Sequence, residues 1–239
     1  TTDIYTLSLH DALPILAAYR VGRYCGVSVE EIGYALEHVE ALPGRLRVVP
    51  GPDQTTLLDD THNACPASML AGLETLRALS PGSRIAILGD ILNLGDFEEE
   101  GHRQVGVKAA ACVDYLVTRG ERAIQIAEAA QQAGLSAERI VATATHEDAA
   151  QVARQLLALV LREHQSVAPT ILLKGSEGMR MERVVEQLMV EPEQAPALLV
   201  RQTPGWKQIV LMRPERPTWL EINLSAIANN TRRIKIGRA

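Results

Sequence analysis

From residue 45 onward, short apolar runs alternate with longer segments whose apolar positions recur every three or four residues. The runs predict strands at 45–50, 55–59, 84–89, 114–118, 139–142 and 169–173. The periodic segments predict helices at 66–79, 98–112, 121–133, 146–164 and 179–189. IAILG, DYLVT and TILLK are nearly unbroken apolar stretches, as expected of strands covered on both faces. Strands alternating with helices predict an α/β fold with a mainly parallel, doubly wound sheet and right-handed crossovers. The first two strands, joined by a PGPDQ turn, are placed as a hairpin at one edge.

Before this region, residues 16–26 read as a helix ending at Gly26. Ser28-Val29-Glu30-Glu31 has the form of a capping box that opens a second helix, through Val39. Pro43-Gly44 then breaks the chain. After Met189, Pro192, Pro196 and Pro204 punctuate the sequence. Two short strands are expected there, at Leu198–Val200 and Ile209–Leu211. A linker follows at 213–217, then a strand at Leu220–Asn223 and the start of an amphipathic helix.

Composition narrows the function classes. Apolar residues make up 46% of the 239 and aromatics only 3%, so the core must be aliphatic. A net charge of −5, without a basic run interleaved with aromatics, argues against nucleic-acid binding. Cys25, Cys65 and Cys112 show no CxxC spacing, which excludes a zinc ribbon and suggests a reducing, cytoplasmic setting. No apolar run approaches the ~20 residues of a membrane helix, so no membrane insertion is expected. Cys25 and Cys112 read as small buried hydrophobes. His38, His102, His146 and His164 read as helix-surface residues.

Three strand ends carry the candidate chemistry. After the second strand, Asp59-Asp60-Thr61-His62-Asn63-Ala64-Cys65 packs two carboxylates, a hydroxyl, an imidazole and an amide into seven residues, with Pro66 opening a helix. Such a cluster could hold ribose hydroxyls, a magnesium-bound phosphate or an amine. It could equally be a set of caps and turn formers. After the third strand, Gly89-Asp90 lets backbone approach a ligand closely. After the sixth, Lys174 is followed by Gly175-Ser176-Glu177-Gly178, an anion-cradle pattern of low specificity. Arg45, just past the Pro43-Gly44 turn, could reach a phosphate. Ligand sites in open α/β sheets form at such carboxyl ends, so three on one edge reinforce one another. No GxxxxGK[ST] loop is present.

Taken in order, PGRL (43–46), DDTHNACPASM (59–69), GDILNLG (89–95) and KGSEGMRMERVV (174–185) resemble the C-terminal third of a Mur ligase. The similarity is to the type that joins D-Ala-D-Ala to UDP-MurNAc-tripeptide in peptidoglycan precursor synthesis. It covers about 16–190. Thr61-His62 and Cys65 depart from the family's Ser-Tyr and Asn, and a thiol cannot make an amide's hydrogen bonds. The resemblance implies that 16–42 are the last helices of a central ATPase domain and 43–190 a Rossmann-like C-terminal domain. It implies ATP and Mg2+ as cofactors, with Arg45 at the nucleotide phosphates, Asp60 at the ribose and Asn63 ordering the elbow. Asp90, Lys174, Ser176 and Glu177 are placed on the substrate side, with Ser176 and Glu177 at the dipeptide. With no P-loop, no catalytic residue is assigned, no metal ligand is assigned, and the fragment alone is expected to be inactive. A folylpolyglutamate synthase-like ligase and a non-catalytic Rossmann-like binding module are the alternatives.

The ends resemble other things. RPTWLEINLSAIANNTRRIK (216–235) is similar to the opening of alanine racemase, a pyridoxal-phosphate enzyme. That implies a linker over 191–216 and a ligase–racemase fusion, with the cofactor lysine further on. LSLHDALPI (7–15) resembles the translation of a widely used sequencing adapter, and IGRA (236–239) its reverse complement. Residues 1–15 and 236–239 are therefore expected to be adapter-derived.

Overall fold

The computed structural model describes residues 9–163 and 167–202, the side chains of 9–14 and Glu163 excepted. His164, the expected strands at 209–211 and 220–223, the racemase-like segment and the terminal four residues lie outside the described residues.

Two helices come first, α1 (Leu9–Tyr24) and α2 (Val29–Glu37). The capping box forms as expected: the Glu31 amide donates to Ser28 Oγ at 3.2 Å, and the Ser28 amide donates to Glu31 Oε2 at 3.0 Å. Cys25, expected to be buried, is exposed, because it falls in the turn just past α1.

Six strands follow: β1 (Arg47–Pro50), β2 (Thr56–Asp60), β3 (Arg84–Gly89), β4 (Tyr115–Arg119), β5 (Ile140–Thr143) and β6 (Thr170–Lys174). They form one sheet in the order β1-β2-β6-β3-β4-β5. β1 pairs antiparallel with β2 as an edge hairpin, and every other pairing is parallel. The helices are α3 (Pro66–Leu79), α4 (Glu98–Cys112), α5 (Ile124–Gln132), α6 (His146–Glu163) and α7 (Glu182–Leu188).

The period-2 pleat sorts the strand residues between two cores. Leu57, Ile85, Ile87, Val117, Ile171 and Leu173 face one way, toward α6 and α7. Leu58, Ala86, Leu88, Leu116 and Leu172 face the other way, toward α3, α4 and α5. Register confirms the rows: Leu57 and Ile85 both pair with Ile171, and Leu58 and Ala86 both pair with Leu172. All five residues of β6 are buried, which explains the unbroken TILL run.

After β5 the winding reverses, and the chain returns through α6 to insert β6 between β2 and β3. The carboxyl ends of β2, β6 and β3 thus lie side by side at the switch point. Asp60 is in register with Lys174, which is in register with Leu88.

The segment past Met189 differs from expectation. Residues 195–198 form a short helix, α8 (Ala195–Leu198), rather than a strand beginning at Leu198. Pro196 suits a first helical turn. Ala195 and Leu199, four apart, both enter the core beside α7, and a three-residue apolar run cannot distinguish the two periods. Residues through Gln202 belong to the compact unit that contains the sheet.

Candidate functional site

The elbow after β2 begins at Asp59, which is fully buried. Its Oδ2 accepts from the Gly44 amide at 3.0 Å; its Oδ1 accepts from the Thr61 hydroxyl at 2.6 Å and the Thr61 amide at 3.2 Å. Burial pushes its carboxyl pKa up, and these three donors pull it back. The His62 amide donates to Gly44 O at 2.9 Å. Gly44 has φ +72°, and a Cβ there would lie 2.8 Å from the His62 nitrogen, so only glycine allows this junction. Asp59 and Gly44 together lock the Pro43-Gly44-Arg45 turn onto the elbow.

Asp60 points into the site. Its Oδ2 lies 2.6 Å from Lys174 Nζ, and the lysine side chain is only 3% exposed. Burial raises the Asp60 carboxyl pKa, while Lys174 and the Leu46 amide oppose the shift. Lys174 Nζ also donates to Asn63 O at 3.0 Å. Asn63 Oδ1 accepts from the Ala64 amide at 2.8 Å and the Glu177 amide at 3.3 Å, so it orders the elbow against the loop after β6. Ser176 is buried: its Oγ accepts from the Leu92 amide at 2.8 Å and donates to Ala64 O at 3.4 Å. Glu177 is exposed beside it.

A cleft of about 390 Å³ opens here, lined among others by Gly44, exposed Arg45, Asp60, Asn63, Cys65 and Lys174. A second, of about 480 Å³, is lined by Asn63, Leu92, Asn93, Ser176, Glu177, Gly178 and Arg180. Asn63 borders both. Arg45, Asp60, Asn63 and Lys174 therefore share one cleft, and Ser176 and Glu177 share its neighbour. Asp90 lines neither; its Oδ1 accepts from the Ala123 amide at 2.7 Å, at the start of α5.

Cys65 caps α3 through its backbone. Its amide donates to Ser68 Oγ at 3.0 Å, and that hydroxyl donates back to Cys65 O. Hydrogen bonding from Ser68 lowers the thiol pKa.

Two histidines expected on helix surfaces are instead buried supports. His102 Nε2 accepts from the Ile91 amide at 3.1 Å, and its Nδ1 lies 2.7 Å from Glu98 O, so the ring braces the loop after β3. His146 Nε2 lies 2.8 Å from Met179 O, and burial lowers its pKa. His38 is exposed and stacks on Tyr34.

Sequence reasoning also missed Glu182. It is fully buried and pairs with Arg201, Nη2 to Oε2 at 2.7 Å, and with Arg180, Nε to Oε1 at 2.6 Å. Arg201 falls in the segment expected to be a linker, 191–216. Only the position of Glu182 beside the apolar Met181, Val184 and Val185 could have signalled a partner.

The fold and the clefts define the class: a Rossmann-like α/β domain with its site at the carboxyl ends of parallel strands. A profile described as "Mur ligase, glutamate ligase domain" matches residues 44–177. The UDP-N-acetylmuramoyl-tripeptide--D-alanyl-D-alanine ligase of Escherichia coli is 33% identical over 180 residues, 75% of this chain and 37% of that protein. The Bacillus subtilis enzyme of the same name is 29% identical over 194 residues, 80% of this chain and 40% of that protein. A crystal structure of MurF from Acinetobacter baumannii superposes with TM-score 0.62 at 31% identity, covering 76% of this chain and 38% of that one. The chain belongs to the Mur ligase family. It spans about two fifths of the length of these curated relatives.

Proposed function

We propose that this chain supplies the C-terminal domain of an ATP-dependent ligase that adds D-Ala-D-Ala to UDP-MurNAc-tripeptide. Mur ligases use ATP, and the relatives just described carry that ligase name. The observation that carries the reading is the Lys174–Asp60 pair, set in a cleft beside exposed Arg45. A carboxylate paired with a buried ammonium suits paired hydroxyls such as those of a ribose. A guanidinium on a glycine-tethered turn suits a phosphate. The donor set fits a nucleotide: Asp60 and Asn63 would hold its sugar end and Arg45 its phosphates. When bound, ATP supplies the phosphoryl group that activates the tripeptide carboxylate.

The neighbouring cleft, which shares Asn63, suits the dipeptide. Glu177 would attract its ammonium, and Ser176 would hold the loop against Leu92 and Ala64. Mg2+ fits less well. Among the described residues no group of three or more His, Cys, Asp and Glu could hold a metal, so no step is assigned to the ion here. Pyridoxal phosphate belongs to the racemase-like segment, outside the described residues. We propose that segment as the start of a fused racemase; in the source DNA the reading frame should run on into a lysine-bearing racemase domain, and a frame that does not overturns the fusion. Among the described residues no helix is long and apolar enough to cross a membrane, and we propose a cytoplasmic enzyme.

The ligase reading is tested with a chimera. Residues 43–202 replace the corresponding C-terminal domain of the Escherichia coli relative. The expected result is phosphate release from ATP that requires both UDP-MurNAc-tripeptide and D-Ala-D-Ala. Release that is independent of the dipeptide, or satisfied by glutamate in its place, overturns it.

A further inference from the structure

Four consecutive carbonyls of the elbow are each met by a side chain from the C-terminal part of the chain. Thr61 O accepts from Arg201 Nη2 at 2.6 Å and His62 O from Arg201 Nη1 at 2.9 Å. Asn63 O accepts from Lys174 at 3.0 Å and Ala64 O from Ser176 at 3.4 Å. Lys174 and Ser176 sit at the end of β6. Arg201 comes from beyond α8, outside the residues matched by the family profile, and it lines neither cleft.

Its guanidinium is held from behind by Glu182, through Nε to Oε1 at 3.1 Å and Nη2 to Oε2 at 2.7 Å. The same carboxylate holds Arg180. Arg180 and Arg201 both have φ 53°, a left-handed conformation uncommon for non-glycine residues.

We propose that Arg201 is a positioning residue for the nucleotide elbow. Buried Glu182 aims the guanidinium, the guanidinium pins the carbonyls of Thr61 and His62, and this fixes how the flanking Asp60 and Asn63 meet the cleft. A planar fork with five donors can span two carbonyls and a carboxylate together, whereas an ammonium cannot hold all three in that geometry. The assignment rests on the nucleotide reading of the cleft.

The test uses the full 239-residue chain and residue-resolved amide exchange. The His62 and Ala64 amides are protected by elbow bonds, to Gly44 O and Asn63 Oδ1. Because Arg201→Ala strands a buried carboxylate and could unfold the domain, the main variant is Arg201→Ala with Glu182→Ala. The expected result is a roughly tenfold loss of protection at His62 and Ala64, with β3 amides such as Ile87 unchanged. Arg201→Lys should fall between this variant and the parent. Unchanged exchange at the elbow, or an equal loss across the sheet, overturns the proposal.

ATP titration of the Escherichia coli chimera described above, with and without the double substitution and read by amide shifts at Gly44–Leu46 and Asp60–Asn63, separates the two readings. A parent chimera without an ATP response at these amides defeats the nucleotide reading, while the exchange result still decides what Arg201 does to the elbow. A parent that responds, with a double variant that responds equally well, defeats the positioning role.

Discussion

Asp60 ends β2 and Asp90 follows β3, both at the carboxyl edge of the sheet, yet they are used differently. Asp60 meets the ammonium of Lys174, its register neighbour on β6, and lines a cleft. Asp90 accepts the Ala123 amide and closes the turn between β4 and α5. The strand end sets where a carboxylate stands. What the next loop offers it sets what it can do. At β4 the loop folds back far enough to bring an amide within reach, and Gly120 makes that approach possible.

The sharpest way to break the comparison is Gly120→Ala. Gly120 has φ +119°, and a Cβ there would fall on the Asp90 carboxylate. Both the backbone conformation and the contact forbid it. The expected loss is about 3 kcal/mol in urea denaturation, with a melting point lowered by roughly 6–12 °C. In the chimera, the ATP response proposed for Asp60 should survive wherever the variant remains folded. A loss below about 1 kcal/mol would mean that Asp90 is free to leave the turn, and the contrast with Asp60 would fail.

Lys174→Met attacks the other member. Removing the ammonium leaves Asp60 half-buried without its cation, at an expected cost of about 2 kcal/mol near neutral pH, reduced from a fully buried pair because the cleft admits water. The pH dependence tests the cause. A native carboxyl with a raised pKa binds its proton more tightly than the unfolded chain does. Its favourable contribution is therefore complete below the ordinary value of 3.8 and is lost as pH rises through the native value. Without Lys174 the Asp60 pKa rises further, so the variant's deficit should shrink from pH 7.5 toward pH 4.5. A deficit equal at both pH values would assign the loss to packing of the lysine stem instead.

Much of the frame was legible along the chain. IAILG, DYLVT and TILLK announced strands covered on both sides, and the PGPDQ turn announced the hairpin, because these are local patterns. The polar strand ends were legible for the same reason. What was not legible depends on partners distant in sequence. Glu182 finds Arg201, which finds Thr61 and His62, and no local period records such a chain of contacts. His102 reads as a surface residue until the loop after β3 folds over it and supplies the Ile91 amide. Leu198–Val200 was misread because three apolar residues fit a strand or a helical turn equally well, and only the core beside α7 decides.

The finest test lies inside the cleft, at Gly72 of α3. A Cβ there would meet Leu172 Cδ2 at 3.4 Å and both Asp60 Oδ2 and Lys174 Cδ at 3.5 Å, all ordinary contact distances. Alanine in a helix interior is favoured over glycine by about 0.5–1 kcal/mol. Gly72→Ala should therefore raise stability by about 0.5 kcal/mol, opposite in sign to Gly120→Ala although both methyls would approach an aspartate. The added methyl also narrows the cleft beside Asp60, so ATP should bind slightly more weakly to the chimera, by less than about threefold. A destabilised Gly72→Ala variant would show that the Asp60–Lys174 pair has no slack. The two aspartates would then differ in partner but not in tolerance, and the ligand-facing role of Asp60 would have to rest on Arg45 and the cleft alone.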